Sequence, residues 1–209
     1  MSKDVYVLAE QRDGVIQKVS IELIGKATEL AADLGQKVVA VLLGSNIKDK
    51  ADVLIKHGAD KVIVVDDPML AEYVTEPYAK ALYEVIKACD PEIVLYGATS
   101  IGRDLAPRVS ARVHTGLTAD CTGLDYDAEA GNMVWTRPAF GGNLMAMILC
   151  PDNRPQLGTV RPGVFKKPEL VEGKEGTITR EDIHVAADQI RTKLIERIEE
   201  VAAAVNLGS

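Results

Sequence analysis

The chain is poor in cysteine and histidine, with three of each among 209 residues, and it has no long apolar run. Cys89, Cys121 and Cys150 are an odd number at wide spacings, which fits neither a disulfide framework nor a paired-cysteine metal site. No apolar run approaches the roughly 20 residues that span a bilayer. These absences predict a reduced cytoplasmic protein that has no metal site and does not insert into membranes.

Basic side chains are outnumbered, with 24 lysines and arginines against 31 aspartates and glutamates, so the formal net charge is −7. This balance argues against nucleic acid as a partner, because binding to phosphate backbones needs basic surfaces. No Ser-His-Asp, Cys-His or HExxH arrangement is present. Asp120 and Asp125 lack a third ligand. We therefore predict no catalytic residue and no metal ligand.

In the first half of the chain, buried-type strands alternate with amphipathic helices. Nearly continuous apolar runs predict strands, and helical spacing predicts helices. Because strands that alternate with helices form right-handed βαβ units, this half predicts an α/β fold with a parallel, Rossmann-like sheet flanked by helices. The predicted strands are Val5–Ala9, Lys37–Leu43, Lys61–Val65 and Glu92–Tyr96, and the predicted helices are Ile21–Leu34, Ile47–Lys56, Thr75–Cys89 and Gly102–Val113.

The pattern changes in the second half, where strand-like runs follow one another without helices. Asn132–Trp135, Leu144–Cys150 and Gln156–Val160 predict an antiparallel extension of the parallel sheet. One long amphipathic helix is predicted at Ala186–Val205.

The loop after the fourth predicted parallel strand is one candidate site. Its residues Gly97, Thr99, Ser100, Gly102 and Arg103 lie between a strand and a helix, where backbone N–H groups and the helix dipole favour phosphate. The loop matches neither GxGxxG nor the P-loop pattern. The alternative is an ordinary helix start that Thr99 or Ser100 caps.

An arginine, an aromatic and two glycines lie together between two of the later strands. Arg137 can hydrogen-bond to a flavin or a phosphate, or stack on a planar ring. Gly141 and Gly142, between Phe140 and Asn143, allow the backbone to approach a ligand closely. The alternative is a structural hairpin in which Arg137 pairs with an acidic residue and Phe140 fills the core.

Four segments, taken in order, resemble the alpha subunit of electron transfer flavoproteins. The resemblance runs from about Val5 to Leu207, and its densest parts are Gly97–Pro107, Gly116–Cys121, Thr136–Met145 and Thr159–Phe165. It implies a nucleotide-binding-like α/β domain over residues 1–185, of the adenine-nucleotide-hydrolase-like type. Residues 186–209 would then form a helix that leads to an FAD domain, which this sequence does not contain.

The resemblance also implies a role in electron transport and specific partners. Such a domain is a part of an electron carrier, not an enzyme, and it pairs with a beta subunit that holds AMP or a second FAD. The complex would carry electrons through FAD between NADH or a flavin dehydrogenase, such as an acyl-CoA dehydrogenase, and acceptors. The loop Gly97–Arg103 would be a degenerate nucleotide site, and Arg137–Asn143 would flank the flavin on the beta side.

Two rival hypotheses stay open at this point. The first is a stand-alone nucleotide-binding hydrolase or ligase that uses Gly97–Gly102. The second is a bare interaction domain in which Arg137 serves only the subunit interface. The sequence does not decide whether the parent complex bifurcates electrons.

Overall fold

The computed structural model describes residues 3–181, 183, 185, 188 and 190–198 of the chain. Over these residues the chain forms four α-helices and twelve strands. The helices are α1 (Lys18–Leu34), α2 (Ala51–Lys56), α3 (Thr75–Cys89) and α4 (Ser100–Val113). The strands are β1 (Val5–Leu8), β2 (Gln11–Arg12), β3 (Val15–Ile16), β4 (Val38–Gly44), β5 (Lys61–Asp66), β6 (Ile93–Gly97), β7 (Leu117–Cys121), β8 (Gly123–Asp127), β9 (Asn132–Ala139), β10 (Leu144–Ile148), β11 (Gln156–Val160) and β12 (Thr177–Arg180).

A parallel sheet of seven strands forms the centre, in the order β12-β5-β4-β1-β6-β11-β7. The α/β prediction and its first four parallel strands are confirmed. The prediction for Gln156–Val160 is wrong in its partner: this strand lies inside the parallel sheet, between β6 and β7. All five of its residues are buried, as a strand covered on both faces requires.

Helices cover both faces of the sheet, and each face has its own apolar core. On one face α1 and α2 pack over inward residues such as Val7, Leu42 and Leu95. On the other face α3 and α4 pack over Tyr6, Val41 and their neighbours. Strand β1 lies between β4 and β6. The chain therefore reverses its direction of winding at the carboxyl ends of β1 and β6, where open α/β sheets bind their ligands.

A separate antiparallel sheet of three strands, in the order β10-β9-β8, extends the domain as predicted. Its anchor is Trp135 in β9, which is fully buried and packs in the same core as α1. A short 3-10 turn, Phe140–Gly142, joins β9 to β10. The predicted strands Asn132–Trp135 and Leu144–Cys150 are thus confirmed as an antiparallel pair, although β9 continues to Ala139 and β10 ends at Ile148.

The predicted helix at Ala186–Val205 is wrong over residues 190–198, which have no helical assignment. The rest of that span, residues 186, 187, 189 and 199–205, lies outside the described residues, apart from residue 188. The carboxylate of Glu76 accepts hydrogen bonds from the backbone N–H groups of Arg191 and Thr192, at 2.8 and 3.2 Å. This tertiary contact overrides the amphipathic spacing. None of the described helices has the length and apolarity needed to cross a membrane.

Candidate functional site

The loop after β6 begins α4 with a side-chain cap. The Thr99 hydroxyl oxygen accepts a hydrogen bond from the backbone N–H of Gly102 at 3.0 Å, which satisfies one of the free donors at the helix start. Thr99, not Ser100, is therefore the cap among the two residues that the sequence offered. The loop lies at the winding reversal of the sheet, beside the end of β1.

A buried carboxylate from the end of β1 lies in this loop. The Glu10 side chain accepts a hydrogen bond from the Thr99 hydroxyl, and only 5% of the residue is exposed. Arg12 forms an ion pair with the same carboxylate at 3.1 Å and also donates to the Ser100 hydroxyl at 3.3 Å. A phosphate at the loop would meet this negative charge, so the loop already contains its own anion. This supports the prediction of a degenerate nucleotide loop, which stays a prediction.

The Glu10 contacts give a stability prediction. Replacing Glu10 by Gln removes the charge that Arg12 and Thr99 bind, so we expect the free energy of unfolding to fall by about 2 kcal/mol. Urea unfolding measures this change. The control is Glu29→Gln, whose carboxylate pairs with Lys26 on the surface and contributes about 0.5 kcal/mol or less. Equal stabilities for the two variants would contradict a structural role for Glu10.

Arg103 and Asp104, at the start of α4, do not pair with each other. Arg103 donates from Nε to the carbonyl of Ala98 at 2.9 Å and from Nη2 to Asp120 at 3.4 Å. Asp104 accepts hydrogen bonds from the hydroxyls of Tyr73 and Thr75. Arg103 thus bridges the backbone of the loop, at Ala98, and the end of β7, at Asp120.

Asp120, near the end of β7, interacts with three arginines. Arg161 binds it through two hydrogen bonds, from Nε at 3.2 Å and from Nη2 at 2.7 Å. The hydrogen bond from Arg161 holds the pKa of the Asp120 carboxyl below its usual value, and the charges of Arg161, Arg103 and Arg137 lower it further. Three arginines around one carboxylate leave this edge positive on a chain whose net charge is negative.

The hairpin turn between β9 and β10 borders an open cleft of about 350 Å³. The cleft is lined by Arg137, Pro138, Ala139, Phe140, Gly141, Gly142 and Arg161. Phe140 is 81% exposed, so the alternative in which this ring fills the core is wrong. Within the described part of the chain, Arg137 makes no direct hydrogen bond or ion pair, so the alternative in which it pairs with an acidic residue is not observed; its charge acts on Asp120 only at longer range. Asn143 follows the turn directly.

The structure thus brings some predicted residues together and separates others. Arg137, Phe140 and Gly141 share the hairpin cleft, whereas Gly97, Thr99 and Gly102 lie at the loop that Glu10 fills. Sequence reasoning missed the roles of Glu10, Asp120 and Arg161. Their position in the sequence could have identified them, because each lies at or just after the carboxyl end of a parallel strand.

Among the described residues, no group of three or more His, Cys, Asp or Glu side chains is arranged to hold a metal ion. A second cavity, of about 200 Å³, lies beside the Glu10 loop and is lined in part by Gln11, Tyr78 and Ser100. Arg197 crosses its margin and pairs with Asp13 at 2.7 Å and with Glu72 at 3.1 Å.

Helices on both faces of a parallel sheet, with a loop and a helix start at the winding reversal, define a Rossmann-like α/β domain. The profile of the "Electron transfer flavoprotein domain" family matches residues 5–186. The chain belongs to the electron transfer flavoprotein family.

Curated relatives support this membership and place the match in the amino-terminal part of alpha-type subunits. Electron transfer flavoprotein subunit alpha of Thermoanaerobacterium thermosaccharolyticum is 52% identical over 205 residues, which cover 98% of this chain and 62% of that relative. Acryloyl-CoA reductase electron transfer subunit beta of Anaerotignum propionicum is 42% identical, with 98% and 62% covered. Lactate dehydrogenase (NAD(+),ferredoxin) subunit LctC of Acetobacterium woodii is 48% identical, with 94% and 46% covered. The chain therefore spans less than two thirds of the length of these relatives.

Proposed function

We propose that this chain is the scaffold domain through which an electron transfer flavoprotein alpha subunit pairs with its beta subunit. The assembled heterodimer carries electrons between NADH or a flavin dehydrogenase, such as an acyl-CoA dehydrogenase, and acceptors. FAD supplies the redox chemistry, and the beta subunit holds AMP or a second FAD. The domain boundaries at residues 185 and 186 and the cytoplasmic location belong to the same proposal.

The Arg137 cleft is the observation that carries this proposal. The guanidinium of Arg137 has no hydrogen-bonding partner among the described residues. It lies beside the exposed ring of Phe140 and two glycines. A guanidinium of this kind suits an anionic, planar group that another chain presents. The cleft is open, and its volume of about 350 Å³ lies at the low end of the range for small-molecule sites. These residues fit one edge of a flavin, while the rest of the flavin would lie in the beta subunit.

Within that arrangement, each residue has a defined task. Arg137 donates hydrogen bonds to the anionic edge of the flavin, and the backbone of Gly141 and Gly142, which line the cleft, lies along the same edge. Asp120 holds Arg161 in place through two hydrogen bonds, which leaves Arg137 as the arginine available for a partner. Electron-bifurcating chemistry is compatible with this geometry, and the name of the Acetobacterium woodii relative, which includes both NAD(+) and ferredoxin, points in that direction.

An Arg137→Ala substitution tests the proposal in the complete complex with the cognate beta subunit. We expect the reduction potential and absorption spectrum of the flavin on the beta side to change, because its anionic form loses a charged hydrogen-bond donor. Redox titration and spectroscopy of the purified complex measure this effect. The matched control is Arg108→Ala, which removes an exposed arginine on α4.

Two other results would redirect the proposal. If Arg137→Ala weakened assembly and left the flavin potential unchanged, the domain would be a bare interaction module. If the chain alone bound ATP or AMP, a stand-alone hydrolase or ligase would become the favoured function. The Glu10 carboxylate in the Gly97–Gly102 loop argues against that second alternative.

A further inference from the structure

The segment 190–198 is held at its start by a buried carboxylate from α3. Glu76 lies near the start of that helix and is only 4% exposed. Besides the backbone N–H groups of Arg191 and Thr192, it accepts a hydrogen bond from Arg191 Nε at 3.1 Å and one from the Thr192 hydroxyl at 3.3 Å. Ile190, one residue earlier, packs against the core on the α3 and α4 face of the sheet. The start of the segment is therefore fixed by packing and by charge.

The far end of the same segment lies over the cavity beside the Glu10 loop. That cavity is at the carboxyl ends of β1 and β6, where open α/β sheets bind their ligands. Arg197 binds Asp13, in the turn between β2 and β3, through two hydrogen bonds at 2.7 and 3.0 Å. It also pairs with Glu72, which precedes α3, at 3.1 Å. All three side chains line the cavity, so a guanidinium of the chain itself occupies the cavity margin.

The two attachments differ in strength. The hydrogen bonds at Glu76 are charge-assisted and shielded from water, which makes them strong. The hydrogen bond from the Arg191 backbone also lowers the pKa of the Glu76 carboxyl, as a bond to its charged form should. The ion pair at the far end is open to solvent, with the side chains of Arg197 and Asp13 exposed by 42% and 64%, and such pairs contribute little. Ile195, between the two attachments, is 93% exposed and adds no packing. The segment should therefore release first at Arg197.

We propose that residues 190–198 form a latch over this cavity, hinged at Glu76 and closed by Arg197. In the closed state the Arg197 guanidinium binds Asp13 and Glu72 at the opening of the cavity. In the open state these exposed pairs break, Glu76 keeps the latch attached, and the cavity becomes accessible to small molecules. The latch acts within one chain, so this inference goes beyond the proposed function and does not depend on the beta subunit.

Hydrogen exchange of backbone amides, followed by NMR, tests the hinge. We expect the amides of Arg191 and Thr192 to be protected in the unsubstituted chain, and Glu76→Ala to speed their exchange at least tenfold. The matched control is Glu84→Ala on the same helix, because no hydrogen bond or ion pair joins Glu84 to the described latch residues. The amides of β4 should stay protected in both variants, which would show that the fold is intact.

Alkylation of a thiol in the cavity tests the closure. Ile101→Cys places a thiol among the residues that line the cavity, and peptide mass spectrometry separates it from the three native cysteines. We expect Arg197→Ala to speed the reaction of this thiol with iodoacetamide at least fivefold. The control is Lys193→Ala, which removes a positive charge from the same latch at a residue that does not line the cavity.

Three results would overturn the inference. Fast exchange of both latch amides in the unsubstituted chain would mean that the segment is not attached. Equal exchange in Glu76→Ala and Glu84→Ala would show that the buried carboxylate is not the hinge. Equal alkylation in the Arg197→Ala and Lys193→Ala proteins would show that the segment does not close the cavity. Each of these results would leave the proposed pairing with the beta subunit intact.

Discussion

Replacing Gly102 by Ala should be among the most damaging single changes in this chain. A Cβ atom at Gly102 would lie 1.8 Å from the backbone carbonyl oxygen of Gly97, far inside contact distance. The obstacle is backbone, so no side-chain rotation relieves it, and the first turn of α4 must move away from β6. We expect the free energy of unfolding to fall by about 3 kcal/mol, although alanine favours helix more than glycine does.

Urea unfolding of Gly102→Ala measures this loss. The control is Gly116→Ala, whose new Cβ would meet the Cys150 sulfur at 3.1 Å and can be accommodated when that side chain shifts. If the two variants were equally stable, close packing of α4 on β6 would not be what requires glycine at residue 102. The result also bears on the sequence argument, because it assigns Gly102 to helix–strand packing and not to the approach of a phosphate.

Replacing Gly158 by Ala should cause a loss of similar size at the other side of the sheet. Gly158 lies in the middle of β11, and a Cβ atom there would come within 2.0 Å of the indole ring of Trp135. Trp135 is fully buried and anchors the antiparallel sheet to the core. We expect a loss of about 3 kcal/mol, which lowers the melting temperature by roughly 10 °C for a chain of this length.

A double-mutant cycle separates this clash from a general weakness of β11. In a Trp135→Leu background the ring is absent, and Gly158→Ala should then cost less than about 1 kcal/mol. Thermal and urea unfolding of the four proteins measure the coupling. Additive losses would mean that the Trp135 ring is not the cause.

The sequence predicted best the parts of the fold that are determined locally. The continuous apolar runs of β4 and β5 and the amphipathic spacing of α3 gave elements whose bounds agree with the structure to within about a residue. The partner of β11 was not predictable in this way, since a five-residue strand carries no record of which strand it joins. The helix predicted over residues 190–198 was wrong for a related reason. The carboxylate of Glu76, more than a hundred residues earlier, binds the backbone of this segment.

The residues of the candidate site also differ in whether the sequence could predict their arrangement. The hairpin around Arg137 was predicted because its two strands are neighbours in sequence. The cluster of Arg103, Asp120 and Arg161 was not, since its members come from the start of α4 and the ends of β7 and β11, which only the sheet order brings together. The exposure of Phe140 also lay beyond the sequence, because aromatic residues are more often core residues than surface ones.

Because the Glu10 carboxylate already binds Thr99 and Arg12 at the loop, we expect the stability of this domain not to depend on a bound nucleotide. A loop that needs a bound nucleotide gains stability only in proportion to the logarithm of the nucleotide concentration, so it weakens when the pool falls. Glu10 is attached covalently to the strand beside the loop, and its local concentration never changes. We therefore expect the fold at the carboxyl ends of β1 and β6 to be equally stable with and without added nucleotide.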